Sequence, residues 1–162
     1  KKTTSPSMDI QIASNFERLL FDIMSQSNEK TASAMHLFEE KGKLTVEQQD
    51  LNIISNIFAS ESTHQEEVNK IISNVHEIHS YLVDPHTATG INASRKTNDS
   101  DRMNFTLSTA HPVKFSETVE MAVGKNLDLL SNYKDLFSKD EKIHSIQNNT
   151  DEVKKFILEN KN

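Results

Sequence analysis

Three short runs hold the residue types from which a site is built. The first, Phe105-Thr106-Leu107-Ser108-Thr109-Ala110-His111-Pro112-Val113-Lys114-Phe115, brings hydroxyls, an imidazole and an ammonium group close together at Ser108, Thr109, His111 and Lys114. Phe105 to Thr109 alternates apolar and polar side chains like a strand, and His111-Pro112 stops it. Turns after strands often carry ligand-binding groups, although Thr109 would sit in the same place if it only ended a strand. Lys114 suits a nearby anion, or lies on the surface beside Phe115; His111 is a site residue or a hydrogen-bonded loop histidine.

The second run is Asp84-Pro85-His86-Thr87-Ala88-Thr89-Gly90. Pro85 stiffens the entry to a helix, and Thr87 is placed to cap a helix whose free amides favour an anion. Capping alone accounts for Thr87 equally well. The third run, Ser5-Pro6-Ser7-Met8-Asp9-Ile10, is followed by Ser14-Asn15-Phe16-Glu17-Arg18. Arg18 has the geometry for a bidentate phosphate or carboxylate contact, and also for an ordinary surface pair with Asp22 four residues on. His76 and His79 lie three apart on one predicted helix, but no further ligand stands at matching spacing, so no metal is expected.

The elements that must position these groups are mostly helices. Ser14-x-x-Glu17 has the form of a capping box and opens a helix with Phe16, Leu19, Leu20 and Ile23 on one face. A second helix is predicted over Thr31 to Lys41, ended by Gly42 as a left-handed cap. Thr45-Val46-Glu47-Gln48 opens a third, through about Phe58, with Leu51, Ile54 and Phe58 at helical spacing. Thr63-His64-Gln65-Glu66 opens a fourth, with the stripe Val68, Ile71, Ile72, Val75, Ile78 and Leu82. Tyr81-Leu82-Val83 reads as a short strand into the Asp84 run, with a helix from Thr87 to Arg95 and an exposed connection over Ser94 to Asn104. Ser116 is placed to cap a helix to Gly124, and helices over Leu127 to Phe137 and Thr150 to Leu158 complete the chain.

The fold class expected is therefore α/β but predominantly helical, with two short strands and about seven helices. Two strand-then-helix units point to the edge of a parallel sheet whose other strands lie outside this chain.

Composition narrows the function. A 35% apolar and 26% charged chain has the makings of one modest core and no membrane-length apolar run. A net charge of -6 argues against a phosphate-backbone binder, so neither nucleic acid nor membrane is an expected partner. The absence of cysteine fits a reducing compartment, and the cytoplasm is the inference. Three glycines, widely spaced at Gly42, Gly90 and Gly124, leave no glycine-rich amide cradle for a phosphate.

The three runs, in this order, resemble the closing third of a threonine synthase, a family of fold-type-II pyridoxal-phosphate enzymes. The resemblance extends to about Gly124 and is most specific where Ser-Thr-Ala-His-Pro-Val-Lys-Phe stands in register with Asp-Pro-His-Thr-Ala. It implies that residues 1–124 are the C-terminal portion of the catalytic region and 125–162 a helical C-terminal tail. It further implies conversion of O-phosphohomoserine and water to threonine and phosphate, with pyridoxal phosphate as cofactor. By resemblance, Thr109, with Ser108 competing, hydrogen-bonds the ring nitrogen of the cofactor, and a neutral hydroxyl there suits a nitrogen held unprotonated. His86, Thr87, His111, Lys114 and Arg18 are the implied substrate-side candidates.

The family's Schiff-base lysine and glycine-rich loop precede the matched part, so the resemblance puts no catalytic residue in this chain. Tyr133-Lys134-Asp135 only imitates the family's Phe-Lys-Asp setting. Lys134 follows Thr109 instead of preceding it, on the solvent side of a predicted helix whose apolar positions are Leu129, Leu130, Tyr133, Leu136 and Phe137, where nothing desolvates it. The chain alone is accordingly expected to be inactive, its partner being the upstream remainder of the enzyme. A noncatalytic helical interaction module is the reading from a different class. Exposed apolar faces and strand edges would favour self-association or binding of that upstream partner.

Overall fold

The computed structural model describes residues 2–97 and 101–161, without the side chains of Leu136 and Phe137. Seven α-helices of two turns or more are present among the described residues: α1 (Ser14–Ile23), α2 (Asn28–Lys41), α3 (Gln48–Ile57), α4 (Gln65–His79), α5 (Pro85–Thr97), α6 (Ser116–Val123) and α7 (Thr150–Glu159). The chain divides into one compact unit that ends at Leu129 and another that starts at Leu130.

The core of the first unit is organised by α4. Val68, Ile71, Ile72 and Val75 recur at three- and four-residue spacing, so they form one stripe, and all four are buried. They pack with Val83, Ala88 of α5 and Val119 of α6, edged by Leu82, Ile91, Phe115, Ala122 and Val123. Each fully buried aliphatic side chain contributes about 1.5–3 kcal/mol. The stripe ends earlier than its pattern suggests, because Ser80 turns left-handed at φ 52° and leaves Ile78 70% exposed. Leu20 and Ile23 of α1 and Met35 of α2 are buried elsewhere in this unit. No residue of α3 is buried, so the predicted Leu51, Ile54 and Phe58 face lacks the cover its periodicity implies.

The two predicted strands are not formed: no described residue is in a β-strand. Tyr81 to Val83 runs into Asp84 without a ladder, and Phe105 to Thr109 likewise forms none. Alternation extends a backbone, but only pairing with a neighbour makes it a strand. The alternate side chains Met103, Phe105 and Leu107 are each 81% exposed. Thr106 lies against α5 so closely that a Cβ on Gly90 would meet its methyl at 3.2 Å, a tight contact. Asn98, Asp99 and Ser100 of the predicted connection lie outside the described residues.

Several helix starts also differ from the pattern. α1 is capped by the backbone of Ala13, with Ser14 already inside it. α2 begins a turn earlier, because the Ser27 hydroxyl accepts from Lys30 N. α3 starts at Gln48, and α4 follows His64, whose amide donates to Glu67 Oε2 at 2.8 Å. Lys96 also bonds Glu67; the His64 amide first, then Lys96, holds that carboxyl below its ordinary value of 4.5. Ser116 heads α6 from inside, behind a 3-10 turn over Pro112–Phe115. Gly42 takes the expected left-handed cap at φ 62°, and Gly124, expected only as the end of its helix, caps α6 in the same way at φ 70°.

In the second unit the predicted helix over Leu127 to Phe137 is reduced to a 3-10 turn, Ser131–Tyr133, and a single helical turn, Lys134–Phe137. Lys134 is exposed. α7 forms where expected, capped by Asn149 Oδ1, which accepts from Asp151 N at 2.9 Å and Glu152 N at 3.3 Å.

Candidate functional site

The functional geometry grows from the start of α5. Pro85 takes the first helical position, where its missing N–H is no loss. The two amides after it are satisfied by Asp84: His86 N donates to Oδ2 at 3.0 Å and Thr87 N to Oδ1 at 3.1 Å. Asp84, and not Thr87, therefore caps this helix. The Thr87 hydroxyl instead donates to Asp84 Oδ1.

His86 completes the arrangement. Its Nδ1 lies 2.7 Å from Asp84 Oδ2, and its Nε2 accepts the backbone N–H of Ser7 at 3.2 Å. A ring nitrogen that accepts carries no proton, so the proton sits on Nδ1 and the imidazole is the neutral tautomer that donates to Asp84. Phe115 packs against the ring at a centroid distance of 4.7 Å and 61°. Asp84 is fully buried. Burial, the largest single influence, pushes its carboxyl up, but the donors from Thr87 and His86 together outweigh it and hold the group below its ordinary value of 3.8.

Through this carboxylate the second and first runs meet. The Thr109 amide donates to Thr87 Oγ1 at 3.0 Å, and Thr109 Oγ1 lies 3.2 Å from Thr87 Oγ1 and 3.3 Å from Asp84 Oδ1. Thr109 is itself exposed, on the wall of an open cleft of about 470 Å³. Ser108, Ala110, His111 and Pro112 line that cleft, facing Ser80, Tyr81, Leu82 and Leu129. The volume is that of a small-molecule site.

The other candidates are placed less closely. His111 Nδ1 accepts from Val113 N at 3.3 Å, which caps the 3-10 turn, and Lys114 is exposed at that turn. Arg18 is exposed on α1; its Nε donates to Ser14 O at 3.4 Å and Nη2 to Asn15 Oδ1, so it is not part of the Asp84 network. The third run enters through Ser7, and just before it the Thr4 amide and hydroxyl donate to Gln65 Oε1 at 3.2 and 2.8 Å. Thr3 holds Asp9: first the Thr3 amide, against some desolvation, keeps that carboxyl below 3.8.

Asp84, the centre of the arrangement, was missed in the sequence as a site residue. Its signal was there, since an aspartate directly before proline at a helix start has the form of an N-cap. No group of three or more potential metal ligands occurs among the described residues, and no described helix is long and apolar enough to cross a membrane.

Comparison with known proteins gives one consistent result. A family model described as "Threonine synthase, C-terminal" matches residues 87–157. A threonine synthase of Pseudomonas aeruginosa is 38% identical over 160 residues, covering 98% of this chain and 34% of that protein. One from Schizosaccharomyces pombe is 35% identical over 142 residues, covering 79% of this chain and 28% of its own length. The crystal structure of PLP-bound threonine synthase from Brucella melitensis matches with a TM-score of 0.79 and 32% identity, over 98% of this chain and 34% of that one. The chain thus spans about a third of the length of the relatives it matches. Similarity in sequence over nearly the whole chain, and in fold over the same span, makes this protein a member of the threonine synthase family, corresponding to the C-terminal portion of its members.

Proposed function

We propose that this chain is the part of a threonine synthase that presents the hydroxyl partner of the cofactor ring, in an enzyme converting O-phosphohomoserine and water to threonine and phosphate. The observation that carries the reading is the Thr109 hydroxyl, exposed on a cleft wall and backed by the buried Asp84 and Thr87. The protein from Brucella melitensis binds pyridoxal phosphate, and the residues here suit one end of that group. A ring nitrogen needs one hydrogen-bonding partner, and Thr109, with Ser108 beside it, offers one. The cofactor phosphate needs several amides in a glycine-rich turn, which three separated glycines do not supply. When bound, the cofactor supplies the electron sink that stabilises negative charge on the substrate carbons.

The remaining roles follow from position. His111 lines the cleft and Lys114 is exposed on the 3-10 turn that follows it; both would favour an anionic substrate. His86 and Thr87 serve from behind, because their polar atoms are committed to Asp84, Ser7 and Thr109. Arg18 spends two of its five N–H donors locally, which leaves donors for an anion. Residues 1–124 belong to the catalytic region and 125–162 to a helical tail. The upstream remainder of the enzyme is the partner, and the alternating, exposed Met103, Phe105 and Leu107 form an apolar edge for it to cover. Without that partner, the same surface favours self-association. No metal takes part, and the enzyme works in the cytoplasm.

The test is to join the chain to the upstream portion of its enzyme. Threonine formation from O-phosphohomoserine is expected only in the joined protein, and borohydride should trap no pyridoxal phosphate on a single lysine of the chain alone. Stoichiometric trapping with phosphate release by the isolated chain would overturn its inactivity. A joined protein that folds but neither binds the cofactor nor makes threonine would favour a noncatalytic helical interaction module.

A further inference from the structure

We infer that a second cavity, between residues 3–9 and the start of α4, binds a small ammonium compound that also carries a hydroxyl group. The cavity has a volume of about 360 Å³, and none of its lining residues borders the cleft beside Thr109. The observation that points to a ligand is Ser5. It lines the cavity and is only 3% exposed, yet its hydroxyl has no hydrogen-bond partner among the described residues. Buried hydroxyls are almost always bonded, and this one still has a proton to donate and lone pairs to accept with. A ligand hydroxyl or ammonium group supplies the missing partner.

Charge selects the ligand. The cavity carries two carboxylates, Asp9 and Glu61, and none of its lining residues is Lys, Arg or His. Asp9 is fixed in place by Thr3, whose amide donates to Oδ2 at 2.7 Å and whose hydroxyl donates to Oδ1 at 3.0 Å. A carboxylate has about four acceptor sites, which leaves room for a cation. The start of α4 would draw an anion to the same wall, but Glu66 and Glu67 in its first turn offset the free amides. A free amino acid is therefore a poor fit, since its own carboxylate would meet Asp9 and Glu61. An amino alcohol has the ammonium group without that repulsion, and Met8 and Val68 supply an apolar wall for its carbons. Ser7, between Ser5 and Asp9, donates to His86 Nε2, so a ligand that holds this turn also steadies the bond into the Asp84 network.

The experiment is calorimetric titration of the complete enzyme carrying this chain with dimethylaminoethanol, a protonated tertiary amine that cannot condense with the cofactor aldehyde. Saturable binding is expected, weakened about tenfold by Glu61→Gln and by Ser5→Ala. Glycolate, an anion with the same hydroxyl group, should fail to compete. Glu61 is exposed, so its variant keeps the fold. The absence of saturable binding overturns the site, and so does binding that is unchanged in Glu61→Gln. Hydrogen exchange at the Ser7 amide should slow with the amine present, and an unchanged rate places the bound amine elsewhere. Binding to this chain alone but not to the complete enzyme also overturns the inference, and assigns the Ser5 hydroxyl to a partner from the upstream portion.

Discussion

Asp84 and Thr109 stand 25 positions apart in sequence, yet Thr109 Oγ1 lies 3.3 Å from Asp84 Oδ1, and the Thr87 hydroxyl bonds to both residues. One buried carboxylate therefore caps a helix, fixes the tautomer of His86 and backs the hydroxyl that faces the cleft. Removing it disturbs all three.

Asp84→Ala should lower the stability of the chain by about 3 kcal/mol, since several buried donors lose a charged acceptor at once. The midpoint of urea unfolding checks this, at an unchanged slope. A loss below about 1 kcal/mol would mean that water replaces the carboxylate.

Acid should unfold the chain partly through the same group. Its folded carboxyl titrates below the ordinary value of 3.8, so its contribution is fully present above that value and is lost as pH falls through the folded pKa. Urea midpoints from about pH 7 to about pH 3 should fall most steeply below about pH 4, and Asp84→Asn should flatten that fall. An identical acid profile in the variant would assign the loss to other carboxylates.

Ile72 and Ile78 lie on the same predicted stripe but in opposite environments, 0% and 70% exposed. Ile72→Ala should cost about 3 kcal/mol and Ile78→Ala less than about 0.5 kcal/mol. Similar costs at the two positions would place the end of the core elsewhere.

His86→Ala should release the segment around Ser7, whose amide loses its acceptor. Hydrogen exchange at the Ser7 amide should then quicken by at least about tenfold, against a smaller change at Ile72. Equal changes at both amides would indicate global destabilisation.

Asn149→Ala should fray α7 and cost about 1 kcal/mol, because Asn149 Oδ1 satisfies both the Asp151 and Glu152 amides. Amide exchange at those two residues reports it directly.

Helix existence and the site runs were legible in the sequence because both are written in local spacing. The stripe Val68, Ile71, Ile72 and Val75, the left-handed cap at Gly42, and the family likeness of the Thr109 run all depend on neighbours in the chain. Asp84 before Pro85 was equally local, but its capping role was read onto Thr87. Only the tertiary structure decided the rest. Whether alternating residues become a strand depends on a partner strand, and Phe105 to Thr109 has none among the described residues. Whether an apolar face is core depends on what covers it, which separates α4 from α3. The sequence by itself determined which groups this protein has available for chemistry. Folding decided which of them share a proton, because a hydrogen bond needs its two atoms about 3 Å apart and sequence spacing does not specify that distance for Asp84, His86, Ser7 and Thr109.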